Sequence, residues 1–511
     1  MSWDLTVELP SASSGKSGTR APPGDARVTK DILARHPLAA LLVLAFTAGP
    51  ATAFGSAEFD VRPILEVSLD GTLGQLRAAP VTLGSGQPRA FVVAYGEDFD
   101  VDPYHEMFFY PEGTLKLAVI TEDGEILWSK DRGRGVVPWM WFTPFFPFDL
   151  DDDGVDEIWF VNNPDPDHPL ALSKYRLERL DPGSGQSLGD RPWPRASGGQ
   201  SISHTYRNFI LGGYVQDEPV LVTAQGTYGP MAIQAWNRDG SSRWVKKIGR
   251  GDPGARGSHR SPIADMNGDG VQEMLWGERL IELDQGREIF CADCARWQQH
   301  SDIIQPFLDR DSGRWYVYTA REKDVNLAPR VVVYDERGEI AWSDIERGHM
   351  DMGWVARSGP GELTAMAIRI QSKALGPGGR THRELDEFAF DALTGDPRQL
   401  PFSTYRTVPV DLDGDGIHEL VYGGPGADGR VIDWDGKTIA TVSGTVAMAS
   451  KFLDHPGEQL LVFHTDGTLE VWADLNAQDG DPARERYADP LYRANQRLTG
   501  VGSNLTNLGG L

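Results

Sequence analysis

The stretch LAVITEDGEILWSKD, residues 117–131, holds an alternating apolar strand, an Asp-Gly turn and a second strand that carries Trp128. The stretch MAIQAWNRDGSSRWVKK at 231–247 repeats this pattern, and VVVYDERGEIAWSDI at 331–345 keeps the spacing from Gly338 to Trp342 without the Asp-Gly pair. Asp-Gly between alternating apolar residues is a strong local signal for a β-hairpin. Weaker copies at 430–442 and 463–474 indicate that one hairpin unit recurs along the chain.

A short, densely apolar strand marks each repeat of this unit. There are eight such strands: AFVVAYG, DEIWFVNN, PVLVTAQG, QEMLWG, RWYVYTA, ELTAMAIR, HELVYGG and EQLLVFH. Four-stranded blades of roughly 50 residues explain their count and period. The sequence therefore predicts an all-β fold, a β-propeller of seven or eight blades, with eight favoured by the repeat count. A further strand near 64–69 either closes the ring or changes the blade count by one, and a pair of β-sandwiches is the alternative fold.

Charge and composition restrict the classes of function. The 511 residues carry a formal charge of −25 and give a pI of about 4.8, whereas nucleic-acid binders usually carry a basic footprint. We therefore expect no nucleic-acid partner. Excess carboxylates suit divalent cations, and they do not exclude an anionic substrate because charges beyond roughly 8 Å are largely screened at physiological salt.

The N-terminal region resembles an export signal. The apolar run LAALLVLAFTA at 38–48 follows Lys30 and Arg35 and precedes Ala-Thr-Ala at 51–53. This order is typical of a secretory signal, and a buried helix is the alternative. We divide the chain into an extended signal segment (1–53), a propeller (54–475) and a C-terminal strap and tail (476–511). We expect a secreted or periplasmic monomer without a membrane-spanning segment after cleavage.

Three loops share the spacing D-x-D-x-D-G-x-x-E, with one amide in the second. Alternate oxygen-bearing side chains in a tight loop converge on one point, and glycine permits the turn. The loops predict structural Ca²⁺, and plain Asx-type turns are the alternative. Their residues are Asp149, Asp151, Asp153 and Glu157, then Asp265, Asn267, Asp269 and Glu273, then Asp411, Asp413, Asp415 and Glu419.

A second group could bind a softer metal. Cys291 and Cys294 are separated by two residues, His300 follows closely, and His259 lies one repeat earlier. Two thiolates and two imidazoles satisfy tetrahedral Zn²⁺ and leave no open position, so this site would be structural. A disulfide and a pair of buried thiols are the alternatives.

Polar residues that could catalyse a reaction are concentrated between the first two loops and just before the second. The commonest hydrolase, nucleotide-binding and metalloprotease motifs do not occur. Cleavage of a polyuronate by β-elimination needs a group that neutralises the carboxylate, a base and an acid, for which Arg, His and Tyr are suitable. Packing between blades, or a solvated edge for the basic residues, is the alternative. The catalytic candidates are His204, Tyr228, Arg207 and His168, and the substrate-binding candidates are Asn162, Asn163, Asn208, Gln225, Arg243 and Arg256.

The repeats, the acidic loops, the segment SHRSPIADMNGDGVQEMLWGERLIEL and the Cys/His set resemble propeller-type polysaccharide lyases. The resemblance is greatest to ulvan lyases, followed by rhamnogalacturonan lyases, within the wider group of FG-GAP-like calcium-binding repeats. It implies β-elimination at a uronic acid, with His204 or His168 as base, Tyr228 as acid, Arg207 as neutraliser and a supporting zinc site. The eight units differ from the seven blades of ulvan lyases. A non-catalytic, calcium-stabilised propeller that binds carbohydrate or protein is the competing hypothesis. His349 and Asp351 could line the same groove.

Overall fold

The computed structural model describes residues 58–99, 109–195, 201–322, 328–376 and 379–500. The predicted signal peptide (1–53) lies outside the described residues. The described chain forms eight four-stranded antiparallel sheets in sequence order, so the predicted eight-bladed all-β propeller is confirmed. No helix among the described residues is long and apolar enough to cross a bilayer.

The first four blades come from the N-terminal half. The strand β1 (Val61–Ser68) precedes them. The first blade consists of β2 (Gln75–Val81), β3 (Ala90–Gly96), β4 (Lys116–Thr121) and β5 (Ile126–Asp131), and the second of β6 (Phe145–Phe148), β7 (Glu157–Asn162), β8 (Arg176–Leu180) and β9 (Ser187–Pro192). The third consists of β10 (Asn208–Val215), β11 (Glu218–Gln225), β12 (Met231–Trp236) and β13 (Ser242–Ile248), and the fourth of β14 (Ile263–Ala264), β15 (Glu273–Leu275), β16 (Arg279–Glu282) and β17 (Glu288–Cys291). A short helix, α1 (Ile202–Thr205), precedes β10, and a 3₁₀ turn covers Leu172–Lys174.

The other four blades follow the same plan. They consist of β18 (Ser301–Asp309), β19 (Arg314–Arg321), β20 (Val331–Asp335) and β21 (Ile340–Asp344); β22 (Met350–Gly359), β23 (Glu362–Gly376), β24 (Gly379–Asp391) and β25 (Pro397–Arg398); β26 (Thr407–Val410), β27 (Glu419–Tyr422), β28 (Arg430–Ile432) and β29 (Thr438–Thr441); and β30 (Thr445–Ser450), β31 (Gln459–Phe463) and β32 (Thr468–Asp474), completed by β1.

The strand β1 closes the ring. It pairs antiparallel with β32, from Val61 opposite Asp474 to Ser68 opposite Thr468. Val67 is buried in the same apolar cluster as Val471 and Phe91, which joins the last blade to the first. The segment near 64–69 is therefore the outer strand of the eighth blade, and it does not begin a ninth.

The repeated tryptophans connect neighbouring blades. Trp128 on β5 donates its indole N–H to the carbonyl of Pro182 at 2.7 Å, and its ring lies against Gly185 in the next blade's outer turn. Trp244 makes the same contact with Leu283, and Trp342 with Ala392. A Cβ at Gly185 would lie 2.5 Å from the Trp128 ring, so glycine is needed where each ring packs. The Asp-Gly-x-x-x-Trp repeat thus supplies both a hairpin and a contact between blades.

Antiparallel pairing gives the propeller two distinct ends. The hairpins between the first and second strands of the blades lie at one end, which we call the loop end because it carries all three acidic loops. The starts of the first strands and the connections between second and third strands lie at the other, which we call the site end. At the loop end, α2 (Asp481–Ala488), α3 (Pro490–Asn495) and a 3₁₀ turn (Gln496–Gly500) cross several blades. Asn495 anchors them through two hydrogen bonds with the backbone of Ile263, at 2.9 and 2.7 Å.

Candidate functional site

A cluster of aromatic, cationic and acidic side chains is centred at the site end, where the first strands of blades three to six begin. Arg207 immediately precedes β10, and Tyr228 lies in the connection between β11 and β12. The centre of this cluster is the buried guanidinium of Arg207, which lies 4.4 Å from the centre of the Trp141 ring and 5.1 Å from the centre of the Tyr228 ring. Desolvated cation–π contacts of this kind are worth about 2 kcal/mol. Two of the predicted catalytic residues are therefore in direct contact.

Tyr228 is held in a left-handed backbone conformation. Its φ is +66°, in a tight connection where the preceding Gly226 has φ +90°. A bulky residue in this region is strained, and such strain persists only where the surroundings impose it. The half-buried Tyr228 ring lies 5.9 Å from the His204 ring and 4.4 Å from the His300 ring. The predicted acid and base thus occupy one patch with Arg207.

His204 is presented by a short capped helix. Ser201 accepts the backbone N–H of His204 at 3.2 Å, so α1 starts at the N-cap that its sequence provides. The His204 ring stands over Gly229, where a Cβ would approach its Nδ1 to 3.3 Å. His204 remains partly exposed.

A carboxylate–imidazole cluster adjoins this patch. Nε2 of His259 lies 3.4 Å from Oδ1 of the buried Asp302, and Nε2 of His300 lies 3.5 Å from the same oxygen. Burial raises the pKa of Asp302 well above its usual range, and the charges of Glu322 and Asp351 add to the effect. Two imidazoles and a buried carboxylate whose ligand atoms lie within 4.8 Å of one another suit a divalent transition metal.

His349 extends the cluster into the sixth blade. Its Nε2 lies 3.2 Å from Asp351 and 3.3 Å from Glu322. Burial lowers the pKa of His349, but these two carboxylates outweigh it and raise the pKa to about 10. Burial raises the pKa of Glu322, but the hydrogen bond from His349 and the charge of His300 outweigh it and bring the pKa to about 2. Lys373 contacts Asp351 and is 3.4 Å from His349.

The four residues predicted to bind zinc do not come together. His259 and His300 converge with Asp302, whereas Cys291 and Cys294 face each other across Gly254 as free thiols. Among the described residues, no group of three or more potential ligands within 4.8 Å contains either cysteine. Burial, followed by the hydrogen bond with Cys294, raises the pKa of the Cys291 thiol to about 12. The short spacing brought the cysteines together, but it did not indicate that Asp302 is the residue beside the histidines.

Three carboxylates of each acidic loop converge, while Glu157 and Asp415 fall outside these groups. Ligand oxygens lie within 4.8 Å of one another in three groups: Asp149, Asp151 and Asp153; Asp265, Asp269 and Glu273; and Asp411, Asp413 and Glu419. In the first loop, Asp149 accepts the backbone N–H of Gly154 at 2.8 Å, and Gly154 has φ +89°. The other two loops repeat this geometry. All three lie at the loop end, away from Tyr228.

Among the remaining candidates, several have other partners. The His168 side chain is 65% exposed, and its Nδ1 pairs with Asp165 at 3.0 Å. Asn162 contacts Glu178, and Asn163 donates to the His168 carbonyl at 3.1 Å. These contacts build the turn after β7, and none of them reaches Tyr228.

The two arginines predicted to bind substrate, Arg243 and Arg256, instead make contacts within the protein. Arg243 pairs with Asp284 at 2.5 Å and with Glu218 at 3.0 Å on an outer strand. Arg256 donates to the carbonyls of Gly249 and Arg250, at 2.7 and 2.6 Å. By contrast, Asn208 and Gln225 pair across β10 and β11 directly beneath the patch, where both are buried.

The sequence analysis did not predict that Asp302, Glu322 and Lys373 belong to the carboxylate–imidazole cluster. One signal was available, because His300-x-Asp302 and His349-x-Asp351 begin the first strands of consecutive blades. The same offset in adjacent blades places both pairs at the site end. Glu322 and Lys373 lie at the ends of second strands, and only the fold brings them to the histidines.

Together, the fold and the cluster define an eight-bladed propeller with an ionisable site at one end. No protein-family model matches the chain. The chain is 23% identical to the rhamnogalacturonan exolyase YesX of Bacillus subtilis over 353 residues, 56% of each chain. It is 26% identical to the endolyase YesW of the same organism over 234 residues, 40% of this chain and 37% of the relative. The matched regions thus span about half or less of these relatives.

Solved structures show the same fold. The structure of YesX superposes with a TM-score of 0.71 at 19% identity, covering 88% of this chain and 82% of YesX. A rhamnogalacturonan lyase of Bacillus licheniformis gives 0.69 at 19% identity, covering 87% of this chain and 81% of that one. The rhamnogalacturonan-lyase part of the predicted resemblance is supported, and the ulvan-lyase part is not.

Proposed function

We propose that this protein is a polysaccharide lyase that cleaves a uronate-containing, rhamnogalacturonan-type polymer by β-elimination. The observation that carries the proposal is the contact between Tyr228, His204 and Arg207 at the site end. Similarity to two rhamnogalacturonan lyases supports this choice of substrate class. Ulvan is the second substrate to test, because the sequence resembles ulvan lyases.

His204 and Tyr228 perform the two proton transfers. The His204 imidazole removes the proton from C5 of the uronate, and the electron pair forms the C4–C5 double bond. The bond from C4 to the glycosidic oxygen breaks, and the Tyr228 hydroxyl protonates the departing oxygen. Positioned acid and base groups of this kind each contribute about 100- to 10,000-fold to rate.

Arg207 acts through Tyr228. Only 1% of its surface is exposed, so its guanidinium cannot reach the carboxylate of a bound polymer. Its charge beside the Tyr228 ring stabilises the phenolate that forms on proton donation. On the open side of the cluster, Lys373 and the protonated His349 are cations available to the uronate carboxylate, with 22% and 38% of their side chains exposed.

The metals remain part of the proposal. Ca²⁺ in the three acidic loops would stabilise hairpins far from the reacting groups. Zn²⁺ would be held by His259, His300 and Asp302, since the cysteines lie elsewhere. Elemental analysis of purified protein tests both. Export, predicted from residues 38–53, is tested by N-terminal sequencing of protein recovered outside the cytoplasm.

The activity is tested by following the ultraviolet absorbance of the unsaturated uronate product. The purified protein is incubated with rhamnogalacturonan, polygalacturonate, ulvan and glycosaminoglycans. We expect product from rhamnogalacturonan, and at least a 100-fold loss in both Tyr228→Phe and His204→Ala. The matched control is His168→Ala, which removes an exposed histidine outside the patch and should retain activity.

Two outcomes would contradict the proposal. Flat absorbance on every polymer with folded protein would favour a non-catalytic binding module. Turnover that survives in both Tyr228→Phe and His204→Ala would exclude these residues as acid and base.

A further inference from the structure

The loop end carries a cationic groove beside the C-terminal helices. We call it the strap groove and define it by Arg89, Lys451, Arg484, Arg493 and Arg497. It encloses about 580 Å³, and its walls come from the β2–β3 hairpin, the residues after β30, and α2 and α3 with the turn that follows. This volume lies within the range of about 300–1,000 Å³ found for small-ligand sites.

The charged side chains that line the groove are cations, although carboxylates outside the lining pair with four of the five. The lining contains five cations, and none of the described residues that form it carries a carboxylate. The chain as a whole has 74 acidic and 49 basic residues. A lining drawn at random would hold more acids than bases, so the groove concentrates positive charge in an acidic protein.

The cations remain available to an anion. Arg89 and Arg484 have side chains that are 48% and 61% exposed, and their acidic partners Asp454 and Asp481 are more than 80% exposed. Exposed pairs of this kind are worth only about 0–1 kcal/mol, so a multivalent anion can displace them. Arg493 is exposed, and its Nε donates to a neutral partner, the Tyr487 carbonyl, at 3.1 Å.

Two further cations define the depth of the groove. The Lys451 side chain is 11% exposed and pairs with Asp479 at 3.0 Å, and that of Arg497 is 20% exposed and pairs with Asp156 at 3.0 Å. These pairs hold Lys451 and Arg497 in place with α2 and α3. The groove therefore has a fixed inner pair of cations and three exposed arginines around it.

We propose that the strap groove is a second, non-catalytic binding site for an acidic glycan, recognised through a row of uronate carboxylates. Several planar guanidinium groups can each bind a carboxylate in bidentate geometry. The inference rests on the proposed function for its ligand class. Because the groove and Tyr228 lie at opposite ends of the propeller, a long polymer can be held at the groove while another part of it, or another chain, is cleaved. Tethering raises the effective concentration of substrate without changing the chemical step.

Binding is measured by calorimetric titration of galacturonate hexamer into protein that carries Tyr228→Phe, so that the ligand is not cleaved. We expect one site at the site end and one at the groove. Replacement of Arg89, Arg484 and Arg493 by Gln removes the groove site, with at least a tenfold loss of affinity there. The matched control replaces Arg62, Arg287 and Arg430 by Gln, because these three exposed arginines lie outside the groove and the change in net charge is the same. The control retains both sites.

Kinetics give a second readout in protein with Tyr228 intact. The groove variant should raise KM for long polymer several-fold, leave kcat unchanged, and leave both constants unchanged for short oligomers. Equal loss of binding in the groove and control variants would overturn the inference, since net charge alone would then explain it. Tighter groove binding of a dextran sulfate fragment, which has no uronate, or of single-stranded DNA would also overturn it. If no lyase activity is found but groove binding persists, only the proposed function fails; if cleavage occurs without groove binding, only the inference fails.

Discussion

At the scale of single residues, replacing the buried Arg207 shows whether its guanidinium supports the reaction or only stabilises the fold. A cation beside a phenol stabilises the phenolate that forms on proton donation, so Arg207→Met, which removes the charge, should weaken Tyr228 as an acid. We expect kcat to fall at least tenfold with KM for the polymer little changed, because the buried guanidinium does not touch the substrate. Steady-state kinetics on folded protein measure this. A merely structural arginine would lower the melting temperature and leave kcat of the folded protein unchanged.

Replacing Arg243 should change stability slightly and leave activity unchanged. It was a substrate-binding candidate, but its guanidinium pairs with Asp284 and Glu218 on an outer strand. The hydrogen bond from Arg243 lowers the pKa of Asp284 below its usual value, so this stability is present above about pH 4 and is lost as pH falls through the lowered pKa. We expect Arg243→Ala to cost about 0.5 kcal/mol at neutral pH, less at pH 3, with kcat/KM unchanged. Urea unfolding at both pH values measures this, and a large fall in kcat/KM would return Arg243 to the substrate site.

The site residues that could be predicted lie close together in the sequence, whereas those that could not are brought together only by the fold. Tyr228, His204 and Arg207 lie within 25 positions of one another, and the blade repeat placed them in adjacent connections. Asp302 and Glu322 come from the fifth blade, and their proximity to His259 and His349 depends on ring geometry that no local pattern contains. The zinc prediction combined sequence neighbours, Cys294 and His300, although their side chains face different neighbours in the fold.

At the scale of elements, the strap helix α2 has a side chain inside the third acidic loop. Arg486 is fully buried and contacts the carboxylate of Asp411, which is also fully buried. Its guanidinium also lies 3.7 Å from Glu458 and donates to the Gly416 carbonyl at 3.3 Å. The arginine thus supplies positive charge where the sequence pattern alone predicted only a metal ion.

Removing this charge should destabilise the protein severely. Arg486→Met leaves the Asp411 and Glu458 carboxylates buried without their cation, and breaking a buried pair in this way costs about 3–5 kcal/mol. We expect the loss to be smaller in the presence of Ca²⁺, because an ion in the third loop then offsets part of the uncompensated negative charge. Thermal unfolding with and without Ca²⁺ measures this. Arg484→Met, an exposed neighbour on the same helix, is the control and should change stability by less than about 1 kcal/mol.

The blade pattern was predictable because each element repeats its own chemistry. The Asp-Gly turn and the tryptophan four residues after its glycine recur because every such blade needs both a hairpin and a contact with its neighbour. The pairing of β1 with β32 could not be read in the same way. Those strands are separated by about 400 residues, and closure is a property of the ring rather than of any segment.

At the scale of the whole molecule, the acidic loops and the Tyr228 patch lie at opposite ends of one rigid set of blades. Loss of metal from a loop should therefore reduce stability and leave the chemical step intact. We expect Asp151→Asn with Asp153→Asn, in the second blade, to lower the melting temperature and to reduce its dependence on added Ca²⁺ without abolishing it, because the first of the three acidic loops loses charge while the other two keep theirs. Below the unfolding transition, kcat on rhamnogalacturonan should stay within about twofold of the parent protein. The same two substitutions at Asp123 and Asp131, outside the loop, provide the charge-matched control. A parallel collapse of kcat and melting temperature in the loop variant would mean that strain at the loop end is transmitted along the strands to Tyr228, and the two ends would then have to be treated as one site.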